Sequence, residues 1–346
     1  ANIFNTGATS LNLAGAATTI SIGAGTGTTT INAFDTIAQG AERLLRFNGS
    51  LTITHNSTSL ILPNNQSITT NAGDYARFIS EGSGNWRLTS YISAAKSLIL
   101  RNHISGYQMS TAGSSATLTI GAGQASDSTN AASITLPSSI SKTTSAWAVG
   151  TGNGGLDTGT IAINTWYHFY AIRRPDTGVV DVVFSTNATT PTLPTNYTQY
   201  RRIGSAKTNG SSQWVKFTQI ENRFIWTEAQ SLDVDATDPG SSPVTRALNV
   251  PTGVVVRAQG YAFLVNTASS DSALITPLYA ADSTVTNNAW PLNTLASSAA
   301  GGAATGYFDV DTNTSAQVRT RMRIGTATTN FRMATHGWVD YRGENA

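Results

Sequence analysis

The sequence predicts an all-β protein built from a short N-terminal strip, a small β unit and two antiparallel, jelly-roll-like β-sandwich domains. Long runs of alternating apolar and polar residues dominate the chain, and helical periodicity is almost absent. Clusters of Gly, Pro, Asn and Asp separate these runs at short intervals, as turns between strands do. The 346 residues are 40% hydrophobic, which is enough for packed cores, and such a length is typical of two or three domains.

Residues 1–40 form the N-terminal strip. Short apolar pairs recur about every nine residues, beginning at Leu11 and Ile20 and followed by Ile31. This spacing is typical of a β-solenoid or an interdigitated β-prism, but so thin a strip cannot bury its apolar face alone. We therefore expect an oligomerisation strip or fibre shaft completed by partner chains. A flexible Gly/Ser/Thr linker is the alternative.

Residues 41–95 are expected to form the small β unit. Its clearest element is the stretch GDYARFISEGSGNWRLTSYI, residues 73–92, in which a Gly-Ser-Gly segment interrupts two strand-like runs. Tyr75 and Phe78 fall on opposite faces of the first run, because side chains alternate along a strand. The glycines can adopt the positive φ values of a tight turn, so the stretch predicts a β-hairpin.

Residues 96–225 and 226–346 are the two predicted sandwich domains. The first contains a hairpin over residues 166–184, in which Pro175–Gly178 has the residues of a turn. In the second, Val318, Thr320, Met322 and Ile324 alternate with three arginines. Several strands at such spacing, separated by turns, indicate antiparallel sandwiches.

Composition excludes several classes of function. The chain has no cysteine, so disulfides, thiol catalysis and cysteine-ligated metals are absent. Its net charge is +2, with no basic stripe that would predict nucleic-acid binding. Apolar runs fall short of the ~20 residues of a membrane-spanning helix, and residues 1–30 lack the pattern of a signal peptide. We expect no nucleic-acid partner, no membrane insertion and no cofactor.

Catalytic and metal-binding signals are weak, so the sequence predicts a protein that is not an enzyme. Neither a Gly-x-Ser-x-Gly elbow nor a His-Glu-x-x-His helix is present, and His168 lies in a strand where a packed role is favoured. Two acidic stretches begin like a calcium loop but lack its later Gly and Glu. Their carboxylates are those of Asp233, Asp235 and Asp238 and of Asp309 and Asp311.

Aromatic side chains expected at the surface are the remaining candidates for recognition, and Trp290 lies in a turn-like context. Sugars pack against aromatic rings that have hydrogen-bonding neighbours, and Trp290, Trp338 and Tyr341 occur in such surroundings. We therefore take these three as candidate glycan or receptor contacts. The alternative is that each anchors a subunit interface.

Two stretches resemble modules of tailed-bacteriophage tail fibres and related virion fibre proteins. The first is RFNGSLTITHNSTSLILPNNQSITTNAGDYARFISEGSGNWRLTSY, residues 46–91. The second spans residues 166–214 and comprises WYHFYAIRRPDTGVVDVVFSTNATTPTLPTNYTQYRRIGS, residues 166–205, and TNGSSQW, residues 208–214.

The resemblance implies an elongated homotrimer on the virion surface that contacts other virion proteins and a host glycan or outer-membrane receptor. A purely structural head, collar or baseplate fibre is the alternative. A tailspike depolymerase, which needs a carboxylate pair in a groove, is a third possibility.

Overall fold

The structure is a computed structural model that describes residues 30–31, 33–94, 99–228, 230–286, 294–296 and 300–343. These residues form an all-β structure whose helical content is one 3₁₀ turn, at Pro63–Asn65. None of the helices in this part of the chain is long and apolar enough to cross a membrane. Most of the predicted N-terminal strip lies outside the described residues, so the shaft stays a prediction.

The chain divides into two compact units, residues 1–98 and residues 99–346. The first unit contains the strands β1 (Thr30–Ile31), β2 (Glu42–Arg46), β3 (Thr52–Ile53), β4 (Leu60–Ile61), β5 (Ile68–Thr69), β6 (Tyr75–Gly82) and β7 (Asn85–Ile92).

The second unit contains β8 (Ile104–Gly106), β9 (Met109–Ser110), β10 (Thr117–Ile120), β11 (Gly123–Ser126), β12 (Ser133–Leu136), β13 (Ile140–Ala146), β14 (Gly154–Leu156), β15 (Trp166–Arg173), β16 (Val180–Ser185), β17 (Gln199–Lys207), β18 (Phe217–Ile220), β19 (Arg223–Trp226), β20 (Val234–Thr237), β21 (Val244–Ala247), β22 (Arg257–Asn266), β23 (Ser272–Thr276), β24 (Thr294–Ala296), β25 (Ala303–Asp311), β26 (Gln317–Met322) and β27 (Thr329–Val339).

The first unit is built around the predicted hairpin. Strands β6 and β7 pair antiparallel, and Gly82, Ser83 and Gly84 have positive φ in the turn between them. β2 and β4 complete this four-stranded sheet, while β1, β3 and β5 form a second sheet. Phe78 and Trp86 are fully buried in the core of the first unit, whereas Tyr75 is exposed as the alternation predicts.

The second unit is sandwich-like, with smaller sheets packed on one large sheet. The large sheet has the order β17-β15-β16-β14-β13-β10-β9-β18-β19-β27-β22-β25, and β20 also pairs with β27. The sheet β12-β11-β8 packs over β15, β16 and β17, and the sheet β21-β26-β23-β24 packs over β22 and β25. The larger hydrophobic core of this unit extends from Ile104 to Trp338 in sequence and lies between these layers. A smaller cluster comprises Tyr170, Ile172, Val183 and Tyr197.

The larger core includes residues on both sides of position 225, whereas the sequence predicts a division between residues 225 and 226. That position falls inside β19, which pairs with β18 on one side and with the C-terminal strand β27 on the other. Trp226 of β19 also packs against Trp166 and Trp338, with ring centroids 5.7 and 5.0 Å away. The sheet and the aromatic core therefore both continue across residue 225.

Buried charged and polar groups connect the central strands to the C-terminal end of the chain. The Arg202 guanidinium of β17 donates hydrogen bonds of 2.7 and 2.5 Å to the two carboxylate oxygens of Asp340. Burial disfavours ionisation of Asp340, but the charge and hydrogen bonds of Arg202 outweigh it and keep the pKa of Asp340 below its ordinary value. The buried His168 ring on the adjacent strand β15 lies 2.9 Å from the Ser205 hydroxyl.

We predict that Asp340→Asn lowers the free energy of unfolding by about 3–5 kcal/mol, because it leaves the Arg202 charge without its anion in a buried site. The control is Asp235→Asn, which removes the exposed ion pair with Arg332 and should cost less than about 1 kcal/mol. Urea unfolding at neutral pH measures both values. Equal losses in the two variants would contradict this account.

We predict that His168 makes stability depend on pH. Burial, reinforced by the positive charge of Arg202, lowers the pKa of His168 from 6.5 to about 4. Between these values the unfolded chain binds a proton that the folded chain does not, so stability is lost as the pH falls from about 6.5 to about 4. The loss should approach about 3 kcal/mol.

The test is urea unfolding of the wild type and His168→Gln at several pH values from about 7 to 4. The variant should lack this part of the pH dependence while retaining the part due to carboxylates. Identical slopes of unfolding free energy against pH in the two proteins would show that His168 does not contribute.

Candidate functional site

Of the three aromatic residues that the sequence selects as candidate contacts, the structure describes two, and these two differ in exposure. Trp290 lies outside the described residues, so its role stays a prediction. Tyr341 is 43% exposed and is available at the surface. Trp338 is 0% exposed, so its ring does not face solvent and cannot receive a ligand in this structure.

Trp338 is buried because its strand, β27, lies between other strands and presents this side chain to the core. Its ring stacks on Phe224, with centroids 5.1 Å apart and planes 3° from parallel. Trp166 approaches edge-on at 5.3 Å. Trp338 is therefore a core residue of the sheet.

Four of the five acidic candidates contact other groups of the protein, namely Asp233, Asp235, Asp309 and Asp311. Asp233 accepts hydrogen bonds from the backbone N–H groups of Asn249 and Thr335 and from the Thr335 hydroxyl. Burial raises the pKa of Asp233. Asp238, next to the end of β20, has a positive φ of 56°. No cluster of three or more potential metal ligands occurs among the residues that the structure describes.

The surface feature with the clearest chemistry is a group of exposed tyrosines on the outer side of β22 and β25. We call Tyr261, Tyr279, Tyr307 and Tyr341, together with His336, the tyrosine face. The tyrosines are 55%, 77%, 46% and 43% exposed, respectively. A concentration of exposed aromatic side chains on one side of a sheet marks an interaction surface more strongly than any isolated exposed residue does.

The centre of the tyrosine face is a cluster of three rings from three adjacent strands. Tyr261 of β22 lies directly opposite Tyr307 of β25, with ring centroids 5.7 Å apart. The imidazole of His336 in β27 lies 5.5 Å from the Tyr261 ring and 5.6 Å from the Tyr307 ring. The cluster is held on paired strands rather than on loops, so its geometry is preorganised.

An irregularity in β27 positions the imidazole. Gln259 of β22 pairs with Gly337, but the next residue of β22 pairs with Thr335, so His336 is an extra residue in the ladder. Such a β-bulge redirects a side chain. Gly337 allows β27 to approach β19 closely, since a Cβ atom at this position would lie 2.3 Å from the carbonyl oxygen of Phe224.

Charged and polar side chains border the rings. Arg257 donates a 2.7 Å hydrogen bond to Asp309, and this bond raises the pKa of Arg257 with a smaller contribution from the Tyr341 hydroxyl. The Tyr279 hydroxyl donates a 3.0 Å hydrogen bond to Asp311. Asp309 and Asp311 lie on the same face of β25, as the alternation predicts, but both are committed to partners within the protein.

A cleft of about 360 Å³ opens beside the ring cluster. Tyr261 and His336 form its boundary with the tyrosine face, and the side chains of Thr227, Glu228 and Gln230 contribute hydroxyl, carboxylate and amide groups. Burial, with the nearby Arg223 charge, lowers the pKa of His336, so its imidazole is neutral near pH 7. The cleft thus combines aromatic surface with both donors and acceptors of hydrogen bonds.

The sequence contains part of the signal for this site. Tyr307 alternates with Phe308 in a strand that continues to Asp309, so the pattern indicates that Tyr307 points outward with the carboxylate. Tyr261 is harder to recognise, because Ala262 and Phe263 leave both faces of its strand apolar. The bulge at His336 has no signal in the sequence pattern, since it depends on pairing with β22.

Comparison with known proteins identifies no family. No protein-family model matches the chain, and no curated protein matches it. Among solved structures, a mutant VP2 protein of infectious bursal disease virus, in derived T=1 particles, aligns with 92% of this chain and 74% of its own at 9% identity. Its TM-score of 0.14 is too low to support a shared fold or function.

We predict stability effects of very different size for two aromatic residues near the end of β27. Trp338→Ala should lower the unfolding free energy by about 3–5 kcal/mol, since it leaves a cavity among packed rings. Tyr341→Ala should change it by about 0.5 kcal/mol or less, because the ring is substantially exposed. Chemical denaturation of the two variants measures both. A small effect of Trp338→Ala would contradict its core role.

Proposed function

We propose that this protein is a non-enzymatic bacteriophage virion protein that attaches to a glycan on the host cell surface through the tyrosine face. The observation that carries the proposal is the exposed cluster of Tyr261, Tyr307 and His336, with a polar cleft beside it. The sequence resemblance to tail-fibre modules supports the virion assignment. It also supports the proposed homotrimer, with residues 1–40 as its shaft or oligomerisation strip.

The chemistry of the face suits a sugar. A pyranose ring has apolar C–H faces that pack against aromatic rings and hydroxyl groups that need hydrogen-bonding partners at its edges. The tyrosine face offers exposed rings, and the cleft offers the side chains of Glu228 and Gln230. Because two paired strands hold Tyr261 and Tyr307, little ordering of the backbone at these residues would be required on binding.

Trimeric display would strengthen a weak contact. Three identical faces on one particle raise the apparent affinity by avidity, provided that the geometry allows simultaneous engagement. Exposed sugar sites of modest area can then hold a virion to a cell. The proposed function is therefore recognition. Its proposed partners are a host surface glycan and other virion proteins.

A structural virion role is the second candidate, because tyrosine and arginine are also enriched at protein–protein interfaces. In that case the tyrosine face would be covered by another subunit. The two functions differ in a measurable way, since a covered face would not bind polysaccharide and its mutation would alter assembly.

The proposal predicts that the purified full-length protein binds capsular polysaccharide or lipopolysaccharide O-chain fractions from at least one member of a panel of bacteria. The double variant Tyr261→Ala/Tyr307→Ala should weaken that binding by about tenfold or more, as loss of aromatic anchors does. The control is Tyr75→Ala, which removes an exposed tyrosine from the first unit.

Light scattering in the same experiment gives the oligomeric state of each protein. Saturable binding that falls in the double variant, with an unchanged oligomer, supports attachment. Absence of binding to the whole panel overturns it. A change in oligomeric state caused by the double variant favours the structural role instead.

A further inference from the structure

We propose that the tyrosine face selects an acidic oligosaccharide, with Arg223 binding the carboxylate of one sugar and the cleft holding a neutral neighbour. This inference rests on the proposed function, since it names the class of glycan that the same surface would take. It depends on the distribution of paired and unpaired charges around the rings.

Arg223 differs from the other arginines of this surface. Arg257 forms an ion pair with Asp309 at 2.7 Å, and Arg332 forms one with Asp235 at 2.8 Å. Arg223 is exposed. Within the described part of the chain it forms no ion pair. Its Nη2 atom lies 3.5 Å from Nε2 of His336, so the guanidinium is placed beside the ring cluster.

The acidic residues of the face are too distant or too committed to neutralise Arg223. In the sheet register, Arg223 lies opposite Val339, Val339 opposite Arg257, and Arg257 opposite Asp311. Three strand spacings of about 4.8 Å place the backbone of Asp311 about 14 Å from that of Arg223. Within the described part of the chain, the β19 end of the face therefore carries a positive charge that is not ion-paired.

A carboxylate matches this site in geometry as well as in charge. A guanidinium can donate two parallel hydrogen bonds to the oxygens of one carboxylate. An acidic sugar that packs against the rings of Tyr307 and His336 would bring its carboxylate within reach of Arg223. The imidazole of His336 is neutral and neither supplies nor cancels charge at this position.

The opposite border of the ring cluster disfavours an anion. Glu228 lines the cleft beside Tyr261. No ion pair of its carboxylate occurs among the described residues. A carboxylate can accept hydrogen bonds from sugar hydroxyls but repels another anion. The two ends of the site therefore carry opposite charges. We expect the acidic sugar to lie toward Arg223 and a neutral sugar to lie in the cleft.

The experiment compares one acidic polysaccharide fraction that the full-length protein binds with the same fraction after chemical reduction of its carboxyl groups to alcohols. Binding of the wild type should fall about tenfold or more on carboxyl reduction, the scale of a lost charge-assisted hydrogen bond. It should also weaken as the salt concentration is raised from about 0.05 to 0.5 M, since the contact is exposed.

Arg223→Gln should weaken binding of the native fraction by a similar factor and leave binding of the reduced fraction unchanged. The matched control is Arg332→Gln, which removes an exposed arginine of the same face whose charge is already paired. Its effect should be less than about twofold.

The outcomes separate the two levels of the proposal. Equal binding of native and reduced fractions, or an Arg223→Gln variant that binds as the wild type does, overturns the acidic preference and leaves glycan attachment standing. If the panel yields neutral polysaccharides as the bound fractions, the preference is also overturned. Failure to bind any fraction overturns the proposed function itself, and with it this inference.

Discussion

The packing of Trp338 among the rings of Phe224, Trp226 and Trp166 is the interaction on which the organisation of the second unit depends. It attaches the C-terminal strand β27 to the large sheet, where β22 pairs with it on one side and β19 and β20 on the other. Two stretches distant in sequence thereby share one core. Aromatic rings bury large apolar areas, so this contact also accounts for much of the local stability.

The same constraint determines what the protein presents to solvent. Since side chains alternate across a strand, committing one face of β22, β25 and β27 to the core leaves the other face for recognition. The bulge at His336 then adds an imidazole between two tyrosines, at a position that regular alternation would not provide. Recognition would thus use a rigid platform, and selectivity would come from the charges around it, chiefly the unequal pairing of Arg223 and Arg257.

Local sequence patterns predict much of the fold in physical detail. The hairpin at Tyr75–Ile92 and the turn at Pro175–Gly178 follow from glycine φ preferences and strand alternation, and both occur as expected. In the candidate site, the outward direction of Tyr307 and Asp309 follows in the same way. The burial of Trp338 and the pairing of Arg202 with Asp340 do not, because each joins residues far apart in the chain.

The sequence by itself determined the all-β class, the hairpins, the faces of most strands and the absence of cysteine chemistry, because these depend on composition and on neighbours within a few residues. Tertiary structure decided that residues 99–346 form one unit, that Trp338 belongs to the core and that four tyrosines with His336 share one surface. These features arise from strand order and register, which are set by the competition of distant segments for the same core and leave no local pattern.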